Sequence, residues 1–158
     1  MEEKLIKGAE EIIKKLLELL KIDAETEISM EMDEEDSQFL RVAITGNELG
    51  TLIGFRGNTL NALQTIFSQM LSRKVGEIVP VLVDVNDFRK RRTEYLKSLG
   101  LQAVQEARES KQDVELPHLS AYERRVIHLA LKEEKGVKTE SRGEGDERRI
   151  VVKIDVKD

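Results

Sequence analysis

Leu5, Ile12, Ile13, Leu16, Leu17, Leu19 and Leu20 recur at helical spacing across residues 3–21, with lysines and glutamates opposite. That period predicts an amphipathic helix. The pattern then changes. From Glu25 to Met32 apolar and polar residues alternate, with Ile28, Met30 and Met32 on one side and Glu27, Ser29 and Glu31 on the other. Period two predicts a strand. Asp33 to Ser37 is a polar turn, and Phe39 to Ile44 a second strand, so the two form a hairpin. Gly46, Gly50, Gly54 and Gly57 follow in quick succession. A helix begins near Asn58, with Leu60, Leu63, Ile66, Phe67, Met70 and Leu71 as its apolar stripe. Val79 to Val85 reads as a third strand, with Pro80 at its start or marking a sheet edge.

The second half has the same legibility. Asp87 to about Glu109 is a charged helix with Phe88, Tyr95, Leu96, Leu99, Val104 and Ala107 inward and Gly100 as a weak point. A short strand at Val114 to Leu116 precedes Pro117. Ser120 and Glu123 have the spacing of a capping box, opening a helix that is expected to reach Lys135 and stop at Gly136. On it Val126, Leu129 and Ala130 are expected to pack inward, and Tyr122 to be core rather than a stacking platform. Val137 to Ser141 and Arg149 to Ile154 are strands about a Gly-rich turn.

Composition narrows the function classes. The 158 residues contain no cysteine and two histidines, which removes disulfides and Cys-ligated metal sites. No apolar run approaches the roughly 20 residues of a spanning helix, and the first residues lack a signal peptide's regions. A cytoplasmic protein without membrane insertion is expected. The net charge of −5 is uneven: residues 1–46 carry 6 Lys/Arg against 13 Asp/Glu, and residues 47–158 carry 20 against 18. A local basic face can therefore hold phosphate on an acidic chain, with salt-sensitive affinity.

Three groups of residues carry candidate chemistry. The first is Gly54-Phe55-Arg56-Gly57, followed by a helix starting at Asn58. Two glycines let a backbone approach a sugar-phosphate chain, and the helix start offers N–H groups and a positive dipole end. KH domains clamp about four nucleotides with such a loop. Arg56 would add a phosphate contact and Phe55 a sugar or base contact. The alternative is a ligand-free turn. The second group is Arg124 and His128, four apart on one helix face, with Arg125 beside them and Arg148 and Arg149 further on. An arginine fork with a histidine ring suits a phosphate or an unstacked base, and the alternative is a purely structural pair. The third is the run Arg89 to Arg92, read as a solvated face, a phosphate track, or both. A nuclease centred on His128 would need a partner acid or metal, and nothing near it in sequence supplies one, since Glu123 serves the cap. His118, after Pro117, reads as a surface residue.

Four ordered stretches resemble the bacterial Jag family, also called KhpB or EloR. They are Leu52-Ile53-Gly54-Phe55-Arg56-Gly57-Asn58-Thr59-Leu60-Asn61-Ala62-Leu63-Gln64, Val83-Asp84-Val85-Asn86-Asp87-Phe88-Arg89-Lys90-Arg91-Arg92, Tyr122-Glu123-Arg124-Arg125-Val126-Ile127-His128-Leu129-Ala130, and Thr139-Glu140-Ser141 with Gly143 and Arg148-Arg149. The resemblance runs from about residue 3 to 154. It implies an α+β chain: a type II KH domain (αββααβ) at 1–86, a connecting helix at 87–111, and a small Arg-xxx-His α/β domain at 112–158. Phe55 departs from the basic residues usual inside the family's loop, and many members carry a further N-terminal domain.

The resemblance also implies a non-enzymatic binder of cellular RNA that acts in the regulation of cell elongation, division or the envelope, and pairs with a small stand-alone KH protein. The expected ligand is single-stranded RNA, or single-stranded DNA in its place, with no cofactor. The residues expected to touch it are Gly54, Phe55, Arg56, Gly57, Asn58, Arg89, Arg124, Arg125, His128, Arg148 and Arg149. A second reading is a KH-mediated interaction module, with a small KH partner or a homodimer, anchored by Leu49 and Leu52. Replacing Gly54 and Gly57 together by Asp is expected to keep the fold and weaken RNA binding.

Overall fold

The first helix, α1 (Glu2–Leu20), buries Leu5, Ala9, Ile12, Ile13 and Leu17. It leads into a hairpin of β1 (Glu25–Met32) and β2 (Gln38–Thr45), paired in register from Glu25↔Thr45 to Met32↔Gln38. Asp33 closes the hairpin by accepting the backbone N–H of Glu35 and Ser37 on its carboxylate. A short helix, α2 (Gly50–Ile53), a single 3₁₀ turn (Phe55–Gly57) and α3 (Asn58–Val75) come next. The strand β3 (Val81–Val85) then lies parallel to β2. In the computed structural model, which describes residues 2–155, the sheet order is β1-β2-β3. The expected edge position of the third strand is therefore met, with Pro80 lending its carbonyl to Leu40 just before the strand begins.

The alternating burial of β2 follows from its central place: Leu40, Val42 and Ile44 face the helices and are fully buried. They meet Ile13 of α1, Leu60, Phe67 and Leu71 of α3, and Val83 and Val85 of β3 in one core. β1 is an edge strand, so its Ile28 and Met30 are only partly buried, and Met32, opposite Gln38 at the hairpin end, lies beyond the core and is exposed. Leu19 and Leu20 at the end of α1, and Ile66 and Met70 on α3, were expected inward by period but are exposed.

The remaining elements are α4 (Phe88–Ser110), β4 (Val114–Glu115), α5 (Ala121–Leu131), β5 (Val137–Arg142), a 3₁₀ turn (Gly145–Glu147) and β6 (Arg149–Ile154). Their sheet runs β4-β6-β5, all antiparallel. Leu96, Ala103, Val104 and Ala107 of α4 share a second core with Ile127, Leu131, Ile150 and Val152.

This corrects the expectation of a connecting helix. The chain divides into two compact units between Arg89 and Lys90, and α4 from Lys90 onward belongs to the second. The expected domain limits at residues 1 and 158 lie outside the described residues. Gly100 is not a weak point but a place of close approach, where an added Cβ would come 3.1 Å from the Ile127 side chain. Tyr95 is exposed rather than inward.

The capping box is present, with Ser120 accepting from the Glu123 N–H and the Glu123 carboxylate accepting from the Ser120 N–H. The helix it opens ends at Leu131, about a turn earlier than expected, and Gly136 adopts the left-handed conformation beyond it. Its inward residues are Glu123, Ile127 and Leu131, so Leu129 points to solvent.

Candidate functional site

The Gly54–Gly57 turn is built by its glycines in a way that spacing alone does not reveal. Gly54 has φ 70° and ψ −173°, a region that only glycine occupies without strain. A Cβ there would fall 2.0 Å from the Thr59 hydroxyl and 3.0 Å from its backbone nitrogen. Gly57 has φ 84°, and a Cβ there would meet the Phe88 ring at 2.6 Å. The loop is thus packed down on α3 and Phe88. Gly54→Asp with Gly57→Asp is therefore expected to strain the fold itself, whereas the sequence reading expects the fold to be kept. Arg56 itself takes a left-handed conformation at φ 53°. The preceding Phe55 ring is 73% exposed, with the Arg56 guanidinium 4.8 Å from its centroid. Asn58 is exposed and opens α3, giving its N–H to the Phe55 carbonyl. No side chain caps α3 at Gly57.

Arg89 is occupied elsewhere. Its Nε donates to the Val83 carbonyl at 2.9 Å, one Nη to Asn61 at 3.2 Å and the other to Gln64 at 2.9 Å. Gln64 also accepts the Val83 N–H at 3.0 Å. Together Arg89 and Gln64 satisfy both backbone groups of Val83 on the unpaired side of β3, closing an edge that would otherwise be open. The buried Asp84 accepts the N–H groups of Val85 and Arg89. Asn86 pairs with both backbone groups of Gly46 through its amide. The stretch from Val83 to Arg89 is therefore a structural clasp. Arg92 is likewise taken, by Glu123 at 2.8 Å. Of the four residues of the basic run, Arg89 and Arg92 are thus engaged by the protein's own acceptors.

The second unit gathers what the sequence kept apart. Ala121, Arg124, Arg125 and His128 of α5 face Thr139, Glu140 and Ser141 of β5 and Arg148 and Ile150 at β6, around a cleft of about 500 Å³. Arg124 is aimed by a hydrogen bond from its Nη to the Leu119 carbonyl at 2.7 Å. The His128 ring is held through Nδ1 by the Thr139 hydroxyl. Arg125 and Arg148 are exposed on the walls.

Arg149 is not among them. Strand alternation puts it opposite Ile150, and it bonds to His118 at 3.1 Å and to the Asp146 carbonyl at 2.7 Å. Sequence reasoning missed Thr139 and Glu140 as members of this site, because only the pairing of β5 with β6 brings them to α5. Glu140 is ion-paired with Lys153 at 2.6 Å and Arg142 at 3.1 Å. Those hydrogen bonds, with Lys153 foremost, hold its carboxyl below the usual carboxylate range, and Arg142, also tied to Asp113, is pushed up.

A larger concavity, about 750 Å³, lies between Lys21 and Glu25 on one side and Thr45 to Leu49 on the other. None of the residues expected to touch RNA lines it. Leu49 and Leu52 are 3% and 4% exposed, so they are core and cannot anchor a partner. Among the described residues no group of three or more His, Cys, Asp or Glu could hold a metal ion.

Comparison with known proteins agrees with this division. Residues 10–83 match the KH domain of KhpA/KhpB, and residues 94–153 match the Arg-xxx-His domain. The "RNA-binding protein KhpB" of Clostridium symbiosum is 34% identical over 128 residues, 81% of this chain and 57% of its own length. That of Bacillus subtilis is 35% identical over 121 residues, 75% and 58% respectively. That of Lactiplantibacillus plantarum is 30% identical over 137 residues, 86% and 42%. The chain thus spans about half the length of the curated relatives it matches. It is an α+β protein with a KH-type domain followed by an Arg-xxx-His domain, and it belongs to the KhpB (Jag) family.

Proposed function

We propose that this chain binds single-stranded RNA without catalysing its cleavage, and that it acts post-transcriptionally in the cytoplasm, in cell elongation, division or envelope control. The observation that carries the reading is the convergence of Arg124, Arg125, Arg148 and His128 on one cleft, in a relative of proteins named for RNA binding. Guanidinium groups bind phosphate oxygens bidentately, and a ring beside them suits an unstacked base. The exposed Phe55 and the Arg56 beside it, at the uncapped start of α3, supply a second, weaker surface. Two modest sites on one chain raise overall affinity through effective concentration. Single-stranded DNA offers the same phosphates and stacking faces and is the expected weaker substitute. Among the described residues no helix is long and apolar enough to cross a membrane.

The binding reading is tested at the cleft. Arg124 and His128 each brace the fold as well, through Leu119 and Thr139, so the cleaner pair is Arg125→Ala with Arg148→Ala. RNA titrations at several salt concentrations should show weaker binding and a log–log salt slope shallower by about one for each lost phosphate contact. Phe55→Ala, at the loop, should weaken binding less, because it removes no charge. A folded double variant with wild-type affinity and slope would remove the cleft from the RNA site. Labelled RNA incubated with the protein, with and without divalent metal, should stay intact. Glu140, the carboxylate among the residues lining the cleft, is tied to Lys153 and Arg142, which hold its carboxyl below the usual range.

A second reading, pairing with a small KH protein or with a second copy, is favoured by one observation. Ile66 and Met70, a turn apart on α3, are 52% and 38% exposed, an apolar pair of the kind that anchors a partner.

A further inference from the structure

Tyr122 was expected in the core, yet it is 70% exposed. Leu129, two turns further along α5, is 55% exposed. With 3.6 residues per turn, Tyr122, Arg125, Val126 and Leu129 form one stripe along the helix. Arg125 belongs to this stripe and also lines the cationic cleft. The aromatic face therefore starts where the phosphate-binding wall ends, about 5–6 Å away at the spacing of residues three apart on a helix. Tyr95, the other tyrosine of the chain, is engaged differently. Its ring lies 5.1 Å from the Arg92 guanidinium, which Glu123 fixes.

We infer that Tyr122 is a base-stacking residue. A nucleotide whose phosphate is held by Arg125 at the cleft lays its base on the exposed face of the Tyr122 ring, with the Leu129 side extending the apolar surface for the next base. The inference rests on the RNA-binding reading of the cleft and adds how the bases are held. Stacking uses the π-face that every base has, so it confers affinity without sequence preference. Charge favours this occupant over an apolar protein segment. Arg124, Arg148 and His128 line the cleft that the stripe meets at Arg125, and the one carboxylate among the lining residues, Glu140, is ion-paired with Lys153 and Arg142.

The chain has two tyrosines and no tryptophan, so in a Tyr95→Phe background all tyrosine emission comes from Tyr122. Titration with a single-stranded RNA should quench that emission along the binding curve. Tyr122→Leu should weaken binding roughly tenfold, the scale of one stacked base, with an unchanged salt slope and melting temperature. Tyr122→Phe should retain wild-type affinity. An abasic strand of the same length should bind the wild type and Tyr122→Leu equally.

Wild-type affinity in Tyr122→Leu would overturn the inference while leaving the cleft in place. So would an equal loss on the abasic strand, or RNA binding without quenching, which would mark the stripe as a protein-docking face. No RNA binding by the wild type would overturn the cleft reading and this one together.

Discussion

At the scale of single residues, glycines and one arginine show how similar letters serve different ends. Gly54 and Gly57 are required by backbone conformation and by crowding from Thr59 and Phe88, whereas Gly50 begins α2 with nothing within 4 Å of an added Cβ. We expect Gly54→Ala and Gly57→Ala each to cost about 1–3 kcal/mol, the scale of a residue forced into a sparsely populated backbone region. Gly50→Ala should be neutral or stabilising by up to about 1 kcal/mol through the unfolded chain. Thermal denaturation of the three variants checks this, and equal melting temperatures would refute the crowding argument. The spacing of the Gly pair was legible in the sequence. Its packing was not, because Phe88 reaches it from about thirty residues away. Arg89 is the reverse case: its charge suggested phosphate, and only the fold showed Val83, Asn61 and Gln64 taking its N–H groups.

At the scale of elements, periodicity placed the strands to within a residue or two and located the capping box of α5, since both depend on neighbours close in sequence. It misjudged which apolar positions face inward on α3 and α5. A helix with more apolar residues than one face can hold must expose some of them, and the partner elements decide which. On α3 these are Ile66 and Met70. We expect Ile66→Asp with Met70→Asp to keep the first unit folded, because Leu60, Phe67 and Leu71 form its buried face. Light scattering should show the wild type associating with itself or with a small KH protein, and the variant as a monomer. A wild type that stays monomeric and ignores KH proteins would remove this surface from consideration.

At the scale of the whole molecule, charge is arranged as paired networks as well as a cleft lined by arginines. Glu11 is hydrogen-bonded to Lys74 in the first unit and Glu140 to Lys153 and Arg142 in the second, and these partners hold both carboxyls below their ordinary value of 4.5. A depressed folded pKa stabilises the native state above the unfolded pKa, and that contribution is lost as pH falls through the folded value. Both networks are solvent-exposed and hence screened by salt. We therefore expect Lys153→Met to melt earlier than wild type at pH 7 in low salt. The difference should shrink as pH falls below 4.5, and also in high salt. Melting curves across that range test it. A difference that persists in acid would assign the effect of Lys153 to packing.

Local chemistry was enough to determine the order of elements, the glycine turn, the capped helix and the family. Hydrogen-bonded periodicity, φ preferences and caps act over a few residues, so they can be read along the chain. Which charges remain available to a ligand was decided by tertiary structure alone. Arg89, Arg92 and Arg149 look as available as Arg125 and Arg148 in the sequence. Nearby backbone carbonyls, and the amides of Asn61 and Gln64, Glu123 and His118 from distant segments, occupy the first three. The pairing of β5 with β6 sets Thr139, Glu140 and Arg148 across from α5. Burial also depends on distant partners, so Tyr122, expected in the core, is turned to solvent, and Leu49, a partner anchor under the second reading, lies in the core.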